Sequence, residues 1–230
     1  MRYYSTELDL KNETFFFSFL CGGKNKINYM KRYKIIYADP PWNYNGQIYE
    51  RGGTQNHYKT MDTNEIASLN VEEISDWDSV CFMWATFPKL EDALYVMRCW
   101  GFTYKTVAFT WVKKNKKSDT PFFGMGKWTR SNAEICLIGV KNNIQRQSAS
   151  VSQVIISEIL EHSKKPDEVR EKIVELMGDL PRIELFARCK TDGWDIFGDE
   201  VVSDIELFKR GEEKRKEKDL QTGTLFGNEM

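Results

Sequence analysis

Three short apolar runs constrain this chain more than anything else in it: residues 34–38 (KIIYA), 79–85 (SVCFMWA) and 182–186 (RIELF). Each is continuous rather than alternating, which suits strands covered on both faces. Between them, helical spacing of apolar residues marks 63–69, 89–100 (Leu90, Ala93, Leu94, Met97) and 166–177 (Val169, Ile173, Leu176, Met177). Strands alternating with helices predict an α/β fold, a mostly parallel sheet flanked by helices. The last helix has the clearest ends: Ser163 upstream, Pro166 near its first position, Asp167 and Glu168 in its first turn, and Gly178 beyond it. Residues 102–112 and 133–140 read as two further strands joined by a loop, 113–131. A connection of roughly 19 residues exceeds the usual limit of about 12–15 inside a compact domain and predicts either function or disorder.

One α/β domain fits a chain of 230 residues, 41% of them hydrophobic. We assign it residues 31–203, with 1–30 as an N-terminal extension and 204–230 as a charged tail. From Asp204 onward six basic residues face seven acidic ones, which reads as a solvated helix or a frayed end. Five Cys form no CxxC pair and only two His are present, which argues against a zinc site or a disulfide framework and for a reduced, cytoplasmic protein. The apolar run 15–21 is too short to span a bilayer.

The chemistry concentrates in Asp39-Pro40-Pro41-Trp42, which follows directly on KIIYA and therefore lies at the carboxyl edge of the sheet, where open α/β sheets bind ligands. A strand ended by a Pro-Pro turn, with Trp42 folded into the core, would read the same way. Two prolines stiffen the turn and contribute carbonyl oxygens but no N–H. Asp39 adds an anionic acceptor and Trp42 a flat apolar face, a set suited to an exocyclic amine on a planar base. Such an amine is a poor nucleophile, because its lone pair is delocalised into the ring. If Asp39 and the Pro40 carbonyl each accept one N–H, the nitrogen moves toward sp³ geometry and can attack. That work is positioning and electrostatics without a covalent intermediate. The chain also lacks the Pro-Cys dipeptide that attack at a cytosine ring carbon calls for.

Charge points the same way once it is read locally. Overall, 33 Lys+Arg balance 34 Asp+Glu and the net charge is −1, which gives no global argument for a nucleic-acid partner. Residues 105–146, however, hold nine Lys/Arg against Asp119 and Glu134, with Phe109, Trp111, Phe122, Phe123 and Trp128 interleaved. Cations neutralise phosphates, and aromatic groups can stack on an extruded base. Gly124-Met125-Gly126 lacks the third glycine of a dinucleotide fingerprint and makes a poor phosphate cradle.

Five segments in order, Ile36-Tyr37-Ala38-Asp39-Pro40-Pro41-Trp42, His57-Tyr58-Lys59-Thr60-Met61, Asn132-Ala133-Glu134-Ile135-Cys136, Lys165-Pro166-Asp167-Glu168 and Arg182-Ile183-Glu184-Leu185-Phe186-Ala187-Arg188, resemble the methyltransferase A-70 family across about residues 33–202. The resemblance implies a Rossmann-like domain with circularly permuted motif order, the catalytic turn preceding the cofactor strand. It also implies methyl transfer from S-adenosylmethionine to adenine N6, with Asp39, Pro40, Pro41 and Trp42 as catalytic residues. Family logic sets the cofactor against Asp39, Lys165, Glu184, Leu185, Phe186 and Arg188, reaching toward Asp199 and Glu200. Ala187 stands where methyltransferases generally have Gly, and Asp199 where members often carry Asn. Glu184 could instead be the partner of Arg182 or Arg188. Tyr58, Lys116, Lys117, Lys127, Arg130 and Glu134 are the candidate substrate contacts, Tyr58 closing over the base. DNA is the favoured substrate, with no metal and no membrane. The alternatives are an RNA adenine methyltransferase or an inactive nucleic-acid-binding partner of one, and family members often pair as homodimers or heterodimers.

Overall fold

The computed structural model describes residues 31–44, 59–126, 128–159 and 164–212. The expectations for residues 1–30, for His57, Tyr58, Lys127 and Ser163, and for the tail beyond 212 lie outside the described residues.

The elements run β1 (Tyr33–Ala38), α1 (Thr63–Ser68), α2 (Val71–Ile74), β2 (Ser75–Ala85), a 3₁₀ turn (Phe87–Lys89), α3 (Leu90–Cys99), β3 (Thr103–Lys114), β4 (Ala133–Lys141), β5 (Val154–Glu158), α4 (Glu168–Met177), β6 (Arg182–Leu185) and β7 (Asp195–Phe197). Among the described residues the strands form one sheet in the order β5-β3-β4-β2-β1-β6-β7. β1 pairs in parallel with β2 and β6, β6 with β7, and β3 with β5. β4 runs antiparallel to both β2 and β3. The sheet is thus mixed and mostly parallel, as α/β alternation predicts.

The continuous apolar character of β1 has a direct cause, since both faces are covered. Ile36 and Ala38 face the layer built from Ile66 of α1, Val71 of α2 and Ala93, Val96 and Met97 of α3. Ile35 and Tyr37 face the opposite layer, with Val169, Ile173 and Met177 of α4. Polar groups carried inward find partners: the Trp100 indole donates to the Ile66 carbonyl at 3.0 Å and the Trp84 indole to the Tyr37 hydroxyl at 2.7 Å. At α1, Asp62 forms a full capping box with Glu65.

Three features differ from expectation. Pro166 does not sit at the first helical position. Asp167 occupies the N-cap in helical geometry without capping by its side chain, which instead accepts from Lys164 at 2.6 Å and Arg170 at 2.9 Å. The edge strands β5 and β7 emerge from stretches without a clear apolar period. Residues 204–212 are not a solvated tail. They dock along α1 through the Leu69–Lys209 bridge and the Asn70 N–H to Phe208 carbonyl bond of 2.9 Å, with Ile205 and Leu207 packed on the core. Among the described residues no helix is long and apolar enough to cross a membrane, and no cluster of three or more His, Cys, Asp or Glu could hold a metal ion.

Candidate active site

Every strand that carries a candidate residue delivers it to one edge of the sheet. β1, β2, β3 and β6 end there, β4 begins there, and the segment leading into α4 crosses it. The turn at the end of β1 is fixed by backbone bonds: Asp39 N–H to the Leu185 carbonyl (3.4 Å), Trp42 N–H to Pro40 (2.9 Å) and Met61 N–H to Pro41 (2.8 Å). The Pro40 carbonyl therefore already accepts one bond, and only its second lone pair is open to a ligand.

Trp42 is not a stacking surface. It is 5% exposed, lies in the core, and donates its indole N–H to the Trp84 carbonyl at 3.0 Å. Its contribution is to anchor the turn from beneath, which corrects the expected flat face for a base. Asp39 is the turn's solvent-facing acceptor, with about a quarter of its side chain exposed.

Lys165 reaches Asp39 from the approach to α4, with its ammonium 2.8 Å from both carboxylate oxygens. The same nitrogen lies 3.4 Å from Glu134 at the start of β4, and Glu134 also accepts from Lys113 at the end of β3. Asp39, Lys165, Glu134 and Lys113 thus make a chain of alternating charges drawn from four elements. Burial would lift the Glu134 carboxyl, but Lys165 and Lys113 outweigh it and hold the group below the usual carboxylate range. Burial would likewise depress the Lys165 ammonium, and Asp39 and Glu134 reverse that and hold it well above its ordinary value. Unpaired, any of the buried members would be costly; paired, they fix one another's orientation. Glu134, expected among the substrate contacts, is buried here with its carboxylate engaged by Lys165 and Lys113.

A second ion pair lies behind β6. Both oxygens of Glu184 accept from Arg170 of α4, at 2.7 Å each, a partner that sequence did not suggest. Arg182 pairs with Asp179, and Arg188 lies 3.9 Å from Glu200. Leu185 is fully buried and faces the α1–α3 layer, so its side chain is unavailable to a cofactor. Phe186 adopts a left-handed backbone with φ of 62°, which a bulky residue rarely does. Ala187 has no room to spare either: its N–H bonds to the Phe197 carbonyl at 3.0 Å, and its carbonyl faces Gly198, where a methyl group would strike it. Asp199 and Glu200 are exposed just beyond.

Lys116, Lys117 and Arg130 are exposed on the β3–β4 connection. Phe109 and Trp111 are buried core residues and Phe122 is half-buried, so most of the interleaved aromatic signal in this stretch comes from packing. Arg170 and Lys113 were missed from sequence. Their only trace was a cation at the core-facing edge of an amphipathic helix and one at the end of an apolar strand.

The family model MT-A70 matches residues 33–200. The chain belongs to the MT-A70 family. Among MT-A70 relatives, a protein named type II methyltransferase M.MunI, from Mycoplasma sp, is 33% identical over 202 residues, covering 79% of this chain and 84% of that protein. An N(6)-adenosine-methyltransferase MT-A70-like protein of Arabidopsis thaliana is 29% identical over 81% of this chain, and the human N(6)-adenosine-methyltransferase catalytic subunit METTL3 is 29% identical over 70%. The chain spans only 26% and 27% of those two proteins.

Proposed function

We propose that the chain is a methyltransferase that moves a methyl group from S-adenosylmethionine to the N6 amine of adenine in DNA. The observation that carries this reading is Asp39, a partly exposed carboxylate gripped at both oxygens by Lys165 at the rim of a rigid turn. Its remaining lone pairs, with the second lone pair of the Pro40 carbonyl, suit the two N–H bonds of an exocyclic amine. Lys165 holds Asp39 in one orientation, and the Glu134–Lys113 pair holds Lys165, so the acceptor is preorganised. Drawing both N–H groups to fixed acceptors frees the nitrogen lone pair from the ring.

The donor set at the edge suits S-adenosylmethionine, which supplies the electrophilic methyl when bound. Asp199 and Glu200 offer acceptors for ribose hydroxyls, Arg188 a cation for the carboxylate end, and Phe186 an apolar edge. Glu184, with both oxygens engaged, stiffens β6 and α4 behind this surface.

DNA is favoured over RNA because the likeness to a type II methyltransferase covers most of that protein, whereas the adenosine methyltransferases are matched over about a quarter of their length. The RNA reading keeps its own support, since those relatives are named for adenosine methylation. Incubation with labelled S-adenosylmethionine and duplex DNA, single-stranded DNA or RNA, followed by mass spectrometry of nucleosides, separates them. N6-methyldeoxyadenosine from DNA is expected. N6-methyladenosine from RNA alone would replace the substrate, and N4-methylcytosine alone would remove the adenine assignment.

A further inference from the structure

Three large apolar side chains of the β3–β4 connection have no place in the core: Phe123, Met125 and Trp128 are 65%, 62% and 92% exposed. Grouped this closely on one connection, they mark an interaction surface. The connection is built rather than slack. Lys114 bridges to Pro121, the Asn115 amide donates to Thr120 Oγ1 (3.0 Å) and the Pro121 carbonyl (3.1 Å), and Phe122 N–H reaches the Lys113 carbonyl (2.8 Å). A side chain on Gly124 would strike the Ser131 carbonyl, and one on Gly126 the Thr129 carbonyl. The outgoing and returning arms therefore press backbone to backbone. With glycines turned inward at alternate positions, Phe123 and Met125 are left facing out.

The root of this hairpin is the candidate site itself. Lys113 N–H bonds to the Asn132 carbonyl at 2.9 Å, and Lys113 and Glu134 carry the charge chain to Asp39. Its flanks expose Lys116, Lys117 and Arg130, while the one acidic residue among them, Asp119, is engaged by Lys114. An apolar tip on cationic shoulders matches the inside of a base stack bordered by phosphates.

We propose that Phe123, Met125 and Trp128 form a wedge that enters the base stack of duplex DNA beside the adenine being methylated, while Lys116, Lys117 and Arg130 seat it on the backbone. This rests on the reading that the chain methylates DNA. Chemistry on a base in a duplex requires that the base leave the stack, and the wedge occupies the space it vacates.

The test combines Phe123→Ser, Met125→Ser and Trp128→Ser. Single-turnover methylation is compared with the unaltered protein on a duplex that the latter methylates, on the same duplex with the target adenine mismatched, and on the single strand. The side chains lie outside the core, so an unchanged melting temperature is expected. The rate on the intact duplex should fall about tenfold to a hundredfold, the scale of one base–aromatic stack. The rates on mismatched duplex and single strand should stay within about threefold, because those bases are already unstacked. An unchanged rate on the intact duplex overturns the wedge alone. Equal loss on all three substrates also overturns it, and if sedimentation then shows a smaller assembly the tip is a subunit contact. An unaltered protein that methylates the single strand but no duplex overturns the wedge alone, whereas one that methylates neither form of DNA overturns the DNA reading with it.

Discussion

Asp39 and Glu134 have distinct roles within one charge chain, and substitutions separate them. Asp39→Ala should lower turnover about a thousandfold, as loss of a preorganised acceptor does, while S-adenosylmethionine affinity measured by calorimetry changes by less than about tenfold. Complete loss of cofactor binding would show that Asp39 chiefly holds the cofactor. Glu134→Gln acts on stability through burial. Among the described residues it removes the carboxylate that holds Lys113 and one that lies beside Lys165, and breaking such a buried pair costs about 3 kcal/mol. The pH dependence has a definite sign. Glu134 titrates below its ordinary 4.5 in the folded chain, so its contribution is present above that value and is lost as pH falls through the lower folded value. Lys165 titrates above its ordinary 10.5, so its contribution is present below that value and is lost as pH rises through the higher folded value. Urea titrations should therefore show the Glu134→Gln deficit at neutral pH and a convergence of the two curves in acid.

At the scale of elements, the close contacts across the sheet rank two glycines. A methyl at Gly198 would meet the fixed backbone of Ala187, whereas one at Gly139 would meet first the thioether of the buried but unbranched Met97 side chain and, less closely, Phe102 Cβ. Gly198→Ala should cost about 2–3 kcal/mol, and Gly139→Ala about 1 kcal/mol, by thermal or urea unfolding. A larger effect at Gly139 would mean that Met97 is locked. Which elements could be read from sequence follows from how they are buried. β1, β2 and β6 are central and covered on both sides, so their apolar runs were unmistakable. β5 and β7 are edge strands, and β7 has only three residues, too few to show a period. Asp39 was legible because Pro-Pro leaves few conformations. The same four letters misled at Trp42, since an aromatic after a stiff turn looks alike whether it faces solvent or the core. Partners set by tertiary contact were out of reach: Glu184 and Arg170 meet through the packing of α4 on β6, and no local spacing encodes that.

Over the whole molecule, residues 204–212 close the α1–α3 layer after the sheet is complete. Removing everything beyond residue 203 uncovers the surface under the half-buried Ile205 and Leu207 and breaks the Asn70–Phe208 and Arg210–Ser68 backbone bonds. That should cost about 2–4 kcal/mol in urea denaturation, with a smaller m value because less surface is exposed on unfolding. A truncated chain of full stability would show that the strap is ornamental. The same view resolves the charge paradox of a near-neutral chain: Lys113, Lys114 and Lys141 are spent on Glu134, Asp119 and Glu72, which leaves the cations of the loop flanks to face outward.

The four-membered charge chain also leaves a signature in inheritance. Each member sits on a different element, yet each carboxylate is tolerable only while a cation stands beside it. Among relatives, loss of the carboxylate at position 134 should travel with loss of the cation at position 113, because Lys113 then loses its partner, whereas Glu134 still has Lys165 beside it when only position 113 changes. The lysine at 165 should persist through such changes, still bound to Asp39. Paired substitution at 113 and 134, with 39 and 165 unmoved, is the pattern this arrangement imposes on its descendants.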